Sequence, residues 1–203
     1  MVRLTKIYTK VGDRGQTMLG DGTMVPKSSA RVQAYGDVDE ANASIGAAIC
    51  ALPAHGADPD ADEVRALLTR IQNEMFDLGA DLCVPIDEAE RSGKSGPRLR
   101  IVPGQIKSLE EAIDRFNASL APLNSFVLPG GTVAAAALHA ARTVVRRAER
   151  GVAGLMEVEG DRTNPDALIY LNRLSDLLFV LSRVMNRSGG GDVLWKPGAT
   201  RSE

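Results

Sequence analysis

A polar loop near the N-terminus has residue types suited to binding an anion. The stretch TKVGDRGQT, residues 9–17, places Gly12 and Gly15 among lysine, aspartate, arginine and threonine residues. Backbone N–H groups in glycine-rich loops, together with lysine and hydroxyl side chains, often bind phosphate. The spacing matches neither GxxxxGK[ST] nor GxGxxG, the two best-known phosphate-binding patterns. Because glycine is also the usual residue of ordinary turns, a phosphate loop and a simple pair of turns both remain open.

A second candidate cluster lies on one face of a predicted helix, in ARTVVRRAER (141–150). Arg142 and Arg146 are four residues apart and Glu149 follows three residues later, so the three side chains share a face. This row lies beside an apolar stripe, and arginine is suited to bidentate contact with phosphate. A solvated basic face with one ion pair is the alternative interpretation.

Two other predicted helices carry polar residues beside their apolar stripes. Asp39 and Asn42 are about one turn apart, and Asn172 shares a helix face with Phe179. Acidic residues near a helix N-terminus also stabilise the helix, and a single Asn on a core helix often has a structural role. Three helices with the same feature are harder to explain as chance, so a structural role and a functional site both remain open.

Neither histidine belongs to a recognisable catalytic or metal-binding set. His139 is expected to pack against its neighbours, and His55 is expected to be solvated in a loop. No His, Cys and carboxylate residues have the spacing of a zinc site, and no Ser/His/Asp or Cys/His arrangement is evident. Proton-transfer and acyl-transfer chemistry are therefore poorly supported.

Apolar residues recur at three- and four-residue steps along five segments, which predicts the helices that position these side chains. The predicted spans are 29–52, 62–83, 103–120, 132–157 and 165–186, with a mobile loop over 84–102. No segment alternates over more than a few residues, so a sheet is not expected. Five amphipathic helices with short connections predict an all-α five-helix bundle.

The length and the composition of the chain fit one domain. The chain has 203 residues, of which 44% are hydrophobic and only 4% aromatic, so a core of Leu, Val, Ile and Ala is expected. We expect a single domain over 1–203, divided into an N-terminal segment (1–30), a helical bundle (31–188) and a flexible tail (189–203). Within that tail, only the surroundings of Trp195 are expected to be ordered.

Charge and cysteine usage exclude several classes of function. A formal net charge of −2 gives no reason to expect a nucleic-acid or membrane-surface partner. Cys50 and Cys83 lie in predicted helices, and reduced thiols indicate a cytoplasmic protein. No signal peptide is evident, and no apolar run approaches the ~18 residues of a membrane span.

Five separated stretches together resemble the PduO-type ATP:cob(I)alamin adenosyltransferases. They are YTKVGDRGQT (8–17), RVQAYGDVDEANASIG (31–46), FVLPGGT (126–132), ARTVVRRAER (141–150) and LNRLSDLLF (171–179). They keep the family's order over nearly the whole chain. The resemblance implies a five-helix bundle with an N-terminal nucleotide-binding loop, assembled as a homotrimer with active sites between subunits.

The resemblance also assigns roles to residues. Those matching ATP contacts are Thr9, Lys10, Gly12, Gly15, Gln16, Thr17, Lys27, Arg146, Arg147, Glu149 and Asn172. Those matching cobalamin contacts are Phe126, Phe179, Asp39 and Arg142, and those implied in catalysis are Arg146, Arg142 and Asp39. Asp39 and Arg142 match a salt bridge across the subunit interface, and Phe126 matches an aromatic below the corrin ring. No protein-only metal site is implied: Mg²⁺ would arrive with ATP, with Glu149 as a candidate ligand.

The implied reaction transfers the 5′-deoxyadenosyl group of ATP to the cobalt of cob(I)alamin, giving adenosylcobalamin and triphosphate. The implied substrates are ATP with Mg²⁺ and cob(II)alamin or cob(I)alamin. A reductase and an adenosylcobalamin-dependent mutase are implied as further partners. Arg146, Lys27 and Mg²⁺ would stabilise the leaving triphosphate.

The chain departs from the resemblance at Leu177 and Leu178, which stand where relatives often carry an aromatic residue beside the Phe179 position. This difference puts the packing below the corrin ring in doubt. Two other functions remain open. A corrinoid carrier or chaperone would deliver the cofactor to a client mutase, and a purely structural bundle would bind no nucleotide.

Overall fold

Five long helices and one single-turn helix make up the computed structural model, which describes Tyr8 and residues 10–201. The helices are α1 (Ala30–Ala51), α2 (Pro59–Cys83), α3 (Glu88–Arg91), α4 (Pro103–Asn117), α5 (Val133–Glu159) and α6 (Pro165–Asn186). The expected all-α five-helix bundle is confirmed, and every predicted helix end lies within three residues of the observed one. In the described part of the chain, no helix has the length and apolar character needed to cross a membrane.

The core lies where α5 packs between α1 and α6. Helix α1 also packs on α2, and α4 packs on α6. The apolar residues at three- and four-residue steps meet along these contacts, and their removal from water is the main stabilising contribution. Helix α6 is the most enclosed, since every residue from 180 to 186 is buried.

Helix α1 carries polar residues on its buried side as well as its exposed side. Arg31 forms a 2.8 Å ion pair with Glu159 of α5 and donates a 2.6 Å hydrogen bond to the backbone oxygen of Leu82. Asp37 packs on Gly151, where an added Cβ would lie 2.8 Å from its carboxylate. These contacts hold α1, α2 and α5 together, so part of the polar pattern in α1 is structural.

Side-chain caps set the starts of two helices. Asp58 accepts a hydrogen bond from the backbone N–H of Asp60 at 2.9 Å, so α2 begins three residues before the predicted position. The Thr132 hydroxyl accepts from the N–H of Ala135 at 3.1 Å and begins α5. The start of α5 is therefore fixed next to the FVLPGGT loop.

Two short strands in the N-terminal segment correct the expectation that no sheet forms. Strand β1 (Gln16–Met18) pairs antiparallel with β2 (Met24–Pro26), with Thr17 opposite Val25. One 3₁₀ turn, Val11–Arg14, precedes β1. Strands of three residues are too short to show an alternating pattern, which is why the sequence does not reveal them.

Charged side chains tie the connection between α2 and α4 to the bundle. The buried Asp81 carboxylate accepts hydrogen bonds from Arg100 at 2.8 Å, from the backbone N–H of Ile101 at 2.8 Å and from Asn164 at 2.7 Å. Arg100 also forms a 2.7 Å ion pair with Glu90. The connection predicted to be a loop over 84–102 therefore contains the helix α3 and is hydrogen-bonded to the bundle at Arg100, while its mobility stays a prediction.

The C-terminal tail pairs with the segment before α5. The backbone N–H of Leu128 donates to Val193 O at 2.8 Å, and that of Trp195 donates to Phe126 O at 2.7 Å. Backbone pairing in the tail therefore extends from Val193 to Trp195, and the flexibility predicted for 189–203 stays a prediction.

Candidate active site

A cleft of about 500 Å³ opens between α5 and α6. Its lining residues are Arg146, Glu149, Arg150 and Ala153 from α5, and Leu168, Ile169, Asn172 and Arg173 from α6. Steps of three and four residues place each set along one face of its helix. The cleft has the size of a small-molecule site, with an apolar patch beside a group of charged residues.

Hydrogen bonds fix several polar side chains of the cleft. Asn172 donates to Glu149 Oε1 at 2.9 Å, and Arg173 donates to Asn172 Oδ1 at 2.8 Å. Arg173 also donates to Glu110 of α4 at 2.8 Å. This chain of contacts runs from α5 through α6 to α4, so the bundle holds the Glu149 carboxylate and the Asn172 amide in place.

The Arg146 guanidinium, by contrast, has no acidic partner among the residues that the structure describes. Arg147 beside it pairs with Glu40 of α1, and Arg150 donates to the Arg146 backbone oxygen at 2.9 Å. Three arginines and a single carboxylate line the cleft. The cleft is therefore positively charged and suited to a polyanion.

Arg142 lies one turn before Arg146, and it too has no acidic partner among the residues that the structure describes. Its Nε is buried and finds no hydrogen-bond acceptor in the described part of the chain. Burial, and to a smaller extent the charge of Arg146, lowers the pKa of Arg142 below its ordinary value. Like charges one turn apart destabilise a helix, so the pair points to an anionic ligand or to an acidic residue of another chain.

The N-terminal loop brings a lysine against a glycine turn. A Cβ added at Gly12 would lie 2.8 Å from the Lys27 Nζ, so glycine leaves room for the ammonium group. The backbone N–H of Lys27 donates to Gly15 O at 2.8 Å, and Lys10 adopts a left-handed φ of 62°. Lys10, Gly12, Gly15 and Lys27 thus belong to one folded unit that carries two positive charges.

The remaining residues predicted for this loop have different surroundings. Gln16 is exposed and Thr17 is half-buried in β1, whereas Thr9 lies outside the described residues. The hydrogen bonds of the described residues from 10 to 27 stay within the N-terminal segment or reach the end of α2 and Tyr35 of α1, and none joins α5 or α6. Within one chain, the loop and the cleft are therefore separate.

The two predicted cobalamin-contacting aromatics lie on different segments. Phe126 is 77% exposed, and its ring centroid lies 6.0 Å from that of Trp195. Phe179 is half-buried on α6 and meets His139 of α5 edge-on at 6.2 Å. Leu177 is fully buried in the core, so the departure at this position affects core packing rather than an exposed surface.

His139 is packed, as expected. It is only 2% exposed, and neither ring nitrogen has a hydrogen-bond partner in the part of the chain that the structure describes. Burial, and secondarily the charge of Arg142, lowers the pKa of His139, while Asp192 acts in the opposite direction. The imidazole is therefore held neutral next to Phe179.

Asp39 lies on another face of the bundle, in a groove of about 420 Å³ between α1 and α2. Met75 and Phe76 help to line this groove, and Phe76 is 72% exposed. Asp39 has no ion pair with a described residue of its own chain, and the salt bridge to Arg142 is not formed within one chain. Pairing of the two across a subunit interface stays a prediction.

Some lining residues of the cleft have no counterpart among the predicted site residues: Arg150, Ala153, Leu168, Ile169 and Arg173. Arg150 follows Arg146 by four residues, and Ile169 precedes Asn172 by three. Helical spacing alone would therefore have identified both as neighbours of the predicted residues.

A protein-only metal site was not expected. Over Tyr8 and residues 10–201, no group of three or more His, Cys, Asp or Glu residues is placed to hold a metal ion. A divalent cation at the cleft would need ligands from a bound phosphate chain, as Mg²⁺ commonly does, with Glu149 as the one carboxylate available there.

A helical bundle with a positively charged cleft and a lysine–glycine loop defines a class of protein that binds a phosphorylated small molecule. The family described as "Cobalamin adenosyltransferase" matches residues 7–185, and the chain belongs to this family. The resemblance found in the sequence motifs is confirmed.

Relatives from several bacteria are similar in sequence to this chain over nearly their whole length. A corrinoid adenosyltransferase of Mycobacterium tuberculosis is 49% identical over 201 residues, covering 99% of this chain and 98% of the relative. One from Bacillus subtilis is 41% identical over 195 residues, covering 96% and 94%. A solved structure is that of a variant PduO-type ATP:corrinoid adenosyltransferase from Lactobacillus reuteri complexed with cobalamin and ATP. It is 37% identical, with a TM-score of 0.83, over 95% of this chain and 97% of that one.

Proposed function

We propose that this protein transfers the 5′-deoxyadenosyl group of ATP to the cobalt of a reduced corrinoid, in an active site built around Arg146. It is an ATP:corrinoid adenosyltransferase, a function supported by its family and its full-length relatives. The observation in the molecule that carries the proposal is the Arg146 guanidinium, which lines the cleft without an acidic partner among the described residues.

The reaction is a substitution at carbon. The electron pair of Co(I) attacks the C5′ atom of ATP, the Co–C bond forms, and the C5′–O bond breaks. The bonding electrons leave with triphosphate, so no proton has to move. This balance fits a site in which no general base is needed, and the imidazole of His139 is not among the residues that line the cleft.

The protein's main chemical task is then to hold the reactants in line and to stabilise negative charge on the leaving group. Arg146 would contact the phosphate chain, with Asn172 and Glu149 fixed beside it by their 2.9 Å hydrogen bond. Lys27 and the N–H groups of the glycine turn would contact the remaining phosphates. Mg²⁺, when bound, neutralises part of the phosphate charge, and Glu149 is the residue that would help to hold it.

Two chains would complete each site. The loop and the cleft are separate within one chain, and both Asp39 and Arg142 lack partners among the described residues. A cyclic homotrimer would place the loop and Asp39 of one subunit against the cleft and Arg142 of the next. The groove beside Asp39 and the exposed ring of Phe76 would then be covered by the neighbouring subunit.

Phe126 and Phe179 would face the lower side of the corrin ring, the side away from the new Co–C bond. An aromatic ring there excludes the lower axial ligand, leaves the cobalt four-coordinate, and makes Co(II) easier to reduce. The exposed position of Phe126 supports this role, because a 77% exposed aromatic ring is available for a ligand. A cytoplasmic location and contacts with a reductase and a mutase stay predictions.

Anaerobic incubation with ATP, Mg²⁺ and chemically reduced cobalamin tests the proposal. We expect the absorption spectrum to change from that of cob(I)alamin to that of an alkylcobalamin, and we expect no change when adenosine replaces ATP. Corrinoid binding without formation of a Co–C bond would contradict transfer and favour the carrier function. Absence of both nucleotide and corrinoid binding would favour a structural bundle.

A further inference from the structure

The segment that presents Phe126 is held by the C-terminal tail. Ser125 Oγ donates to Trp195 O at 2.7 Å, and Trp195 N donates to Phe126 O at 2.7 Å. Leu128 N donates to Val193 O at 2.8 Å, and the residues between them form an antiparallel bridge. Because Phe126 is mostly exposed, pairing with the tail, and not burial in the core, fixes its position.

Asp192 anchors the tail just before this pairing. Its Oδ2 accepts from Arg183 Nε at 2.8 Å, and the two side chains are only 12% and 8% exposed. Its Oδ1 accepts from Asn186 at 3.3 Å, and Arg183 also donates to Ala121 O at 2.7 Å. Removing one member of a buried ion pair is disruptive, because the other charge stays buried without its partner.

Asn186 ties the same anchor to the far end of the Phe126 segment. Its Oδ1 accepts from the N–H of Thr132 at 3.0 Å, and its Nδ2 donates to Gly130 O at 3.2 Å. Gly131 has a φ of 103°, and a Cβ there would collide with the Asn186 amide. The two ends of the segment 125–132 are therefore connected to Asp192, one through the tail and one through Asn186.

We propose that Asp192 is a positioning residue for adenosyl transfer, acting through Arg183, Asn186 and the paired tail to set Phe126 against the corrin ring. This inference rests on the proposed function, in which Phe126 excludes the lower ligand of cobalt. Asp192 contacts no substrate itself. Its effect comes from the orientation of one exposed ring, and a misplacement of about 1 Å can cost up to a hundredfold in rate.

The first test compares Asp192→Asn with Asp161→Asn. The control residue is also an aspartate paired with an arginine, Arg91, but it lies on the surface at 77% exposure. With cob(II)alamin and MgATP, electron paramagnetic resonance measures the fraction of four-coordinate Co(II). We expect Asp192→Asn to lower this fraction severalfold and leave MgATP affinity unchanged, and we expect Asp161→Asn to behave like the wild type.

A second pair of variants keeps the test valid if Asp192→Asn does not fold. Trp195 is 43% exposed, so substitutions there leave the core intact. Trp195→Pro removes both the ring and the backbone donor to Phe126 O, whereas Trp195→Ala removes only the ring. A lower fraction of four-coordinate Co(II) for Trp195→Pro than for Trp195→Ala supports positioning through the paired backbone, and equal fractions contradict it.

A double variant separates this inference from the function on which it rests. If Asp192 acts through Phe126, then Asp192→Asn combined with Phe126→Ala gives the same fraction as Phe126→Ala alone. An additive loss, or a wild-type fraction for Asp192→Asn, overturns the inference while Phe126→Ala still shows that the ring matters. A wild type that forms no four-coordinate Co(II) with MgATP overturns both the inference and the role of Phe126.

Discussion

Arg142 and Arg146 differ from the other arginines of α5 because their side chains contact no acidic residue in the described part of the chain. Arg147 pairs with Glu40, and Arg150 donates to the Arg146 backbone, but neither Arg142 nor Arg146 has an acidic partner among the described residues. Their mutual repulsion disfavours the free protein. A polyanion bound at the cleft, or a carboxylate from a neighbouring subunit, would relieve it.

The Arg146→Ala variant is expected to lose nearly all turnover while keeping its helical content. Removal of a charged donor to a leaving group costs on the order of 2–4 kcal/mol of transition-state stabilisation. Turnover is measured from the formation of adenosylcobalamin, and folding from far-ultraviolet circular dichroism. Arg115→Ala is the matched control, since Arg115 is exposed and pairs with Glu63 at 2.6 Å on a different face. Near-normal activity of Arg146→Ala would remove this residue from the site.

His139 is expected to make stability depend on pH. Its pKa in the folded protein is lowered, chiefly by burial and then by Arg142. Stability is therefore complete above the ordinary pKa of about 6.5 and is lost as the pH falls below it, because the unfolded chain binds a proton that the folded chain resists.

The upper limit of this loss is about 1.4 kcal/mol per pH unit. Urea unfolding at one fixed protein concentration, at pH 8 and at pH 5.5, measures it in the wild type and in His139→Gln. We expect the His139→Gln variant to lose less stability on acidification than the wild type does. His55→Gln is the control, because His55 is exposed beside Asp62. Equal pH dependence of His139→Gln and the wild type would rule out His139 as the source.

At the scale of elements, the N-terminal loop differs from the helices because no apolar residue of the 3₁₀ turn Val11–Arg14 is buried. Ordering such a loop costs roughly 1–2 kcal/mol of backbone entropy per residue. Contacts with triphosphate and Mg²⁺ must offset that cost. Nucleotide binding is therefore expected to depend more on the phosphate chain than on the adenine.

Hydrogen exchange of the backbone amides in residues 9–17 tests this dependence. We expect exchange to slow strongly when MgATP is added and to change little with adenosine, because only the former supplies the anion. The amides of the buried α6 helix provide an internal reference. Slow exchange without nucleotide, or equal protection by adenosine, would favour the interpretation of the loop as a simple pair of turns.

The sequence predicted those elements well whose determining residues lie close together in the chain, and it did not predict contacts between residues far apart. The helix predicted over 165–186 is observed with the same ends, because its apolar period lies within the segment and Pro165 stands at its start. The contacts of Asp81 with Arg100 and Asn164 join residues far apart in the chain, so no local pattern could predict that the connection between α2 and α4 is held in place.

In the candidate site, too, the features determined by nearby residues were predicted and those determined by distant residues were not. Arg146, Glu149 and Asn172 were predicted from spacing and from family motifs, and the structure brings them into one cleft. The anchoring of the Phe126 segment by Asp192 was not predicted, because it depends on where the tail returns to the bundle after Gly189–Gly191. The sequence shows the residues there but not the direction of the chain.

At the scale of the whole molecule, the separation between loop and cleft within one chain is the reason to expect a shared active site. Asp39 of one subunit and Arg142 of the next would form one pair at each interface of a cyclic trimer. The two residues would then be required in different chains, and a mixture of variants can test that requirement.

Chains carrying Asp39→Asn and chains carrying Arg142→Ala should each be nearly inactive alone and partly active when mixed and reassembled. Random assortment leaves about a quarter of the interfaces with both wild-type residues. The control mixes Arg142→Ala with the Asp39→Asn/Arg142→Ala double variant, a combination that contains no intact interface. A mixture no more active than this control would contradict a site shared between subunits. So would a wild-type protein that sediments as a monomer and is fully active in the assay.

The central claim is that the adenosyl group moves to cobalt by substitution at C5′ with intact triphosphate as the leaving group. Ion-exchange separation of the polyphosphate products, alongside the absorbance of the alkylcobalamin, tests it most directly. The account predicts one triphosphate for each Co–C bond formed, with the amounts rising together and both falling in Arg146→Ala. Release of phosphate or diphosphate in proportion to the product, or nucleotide turnover without a Co–C bond, would contradict it.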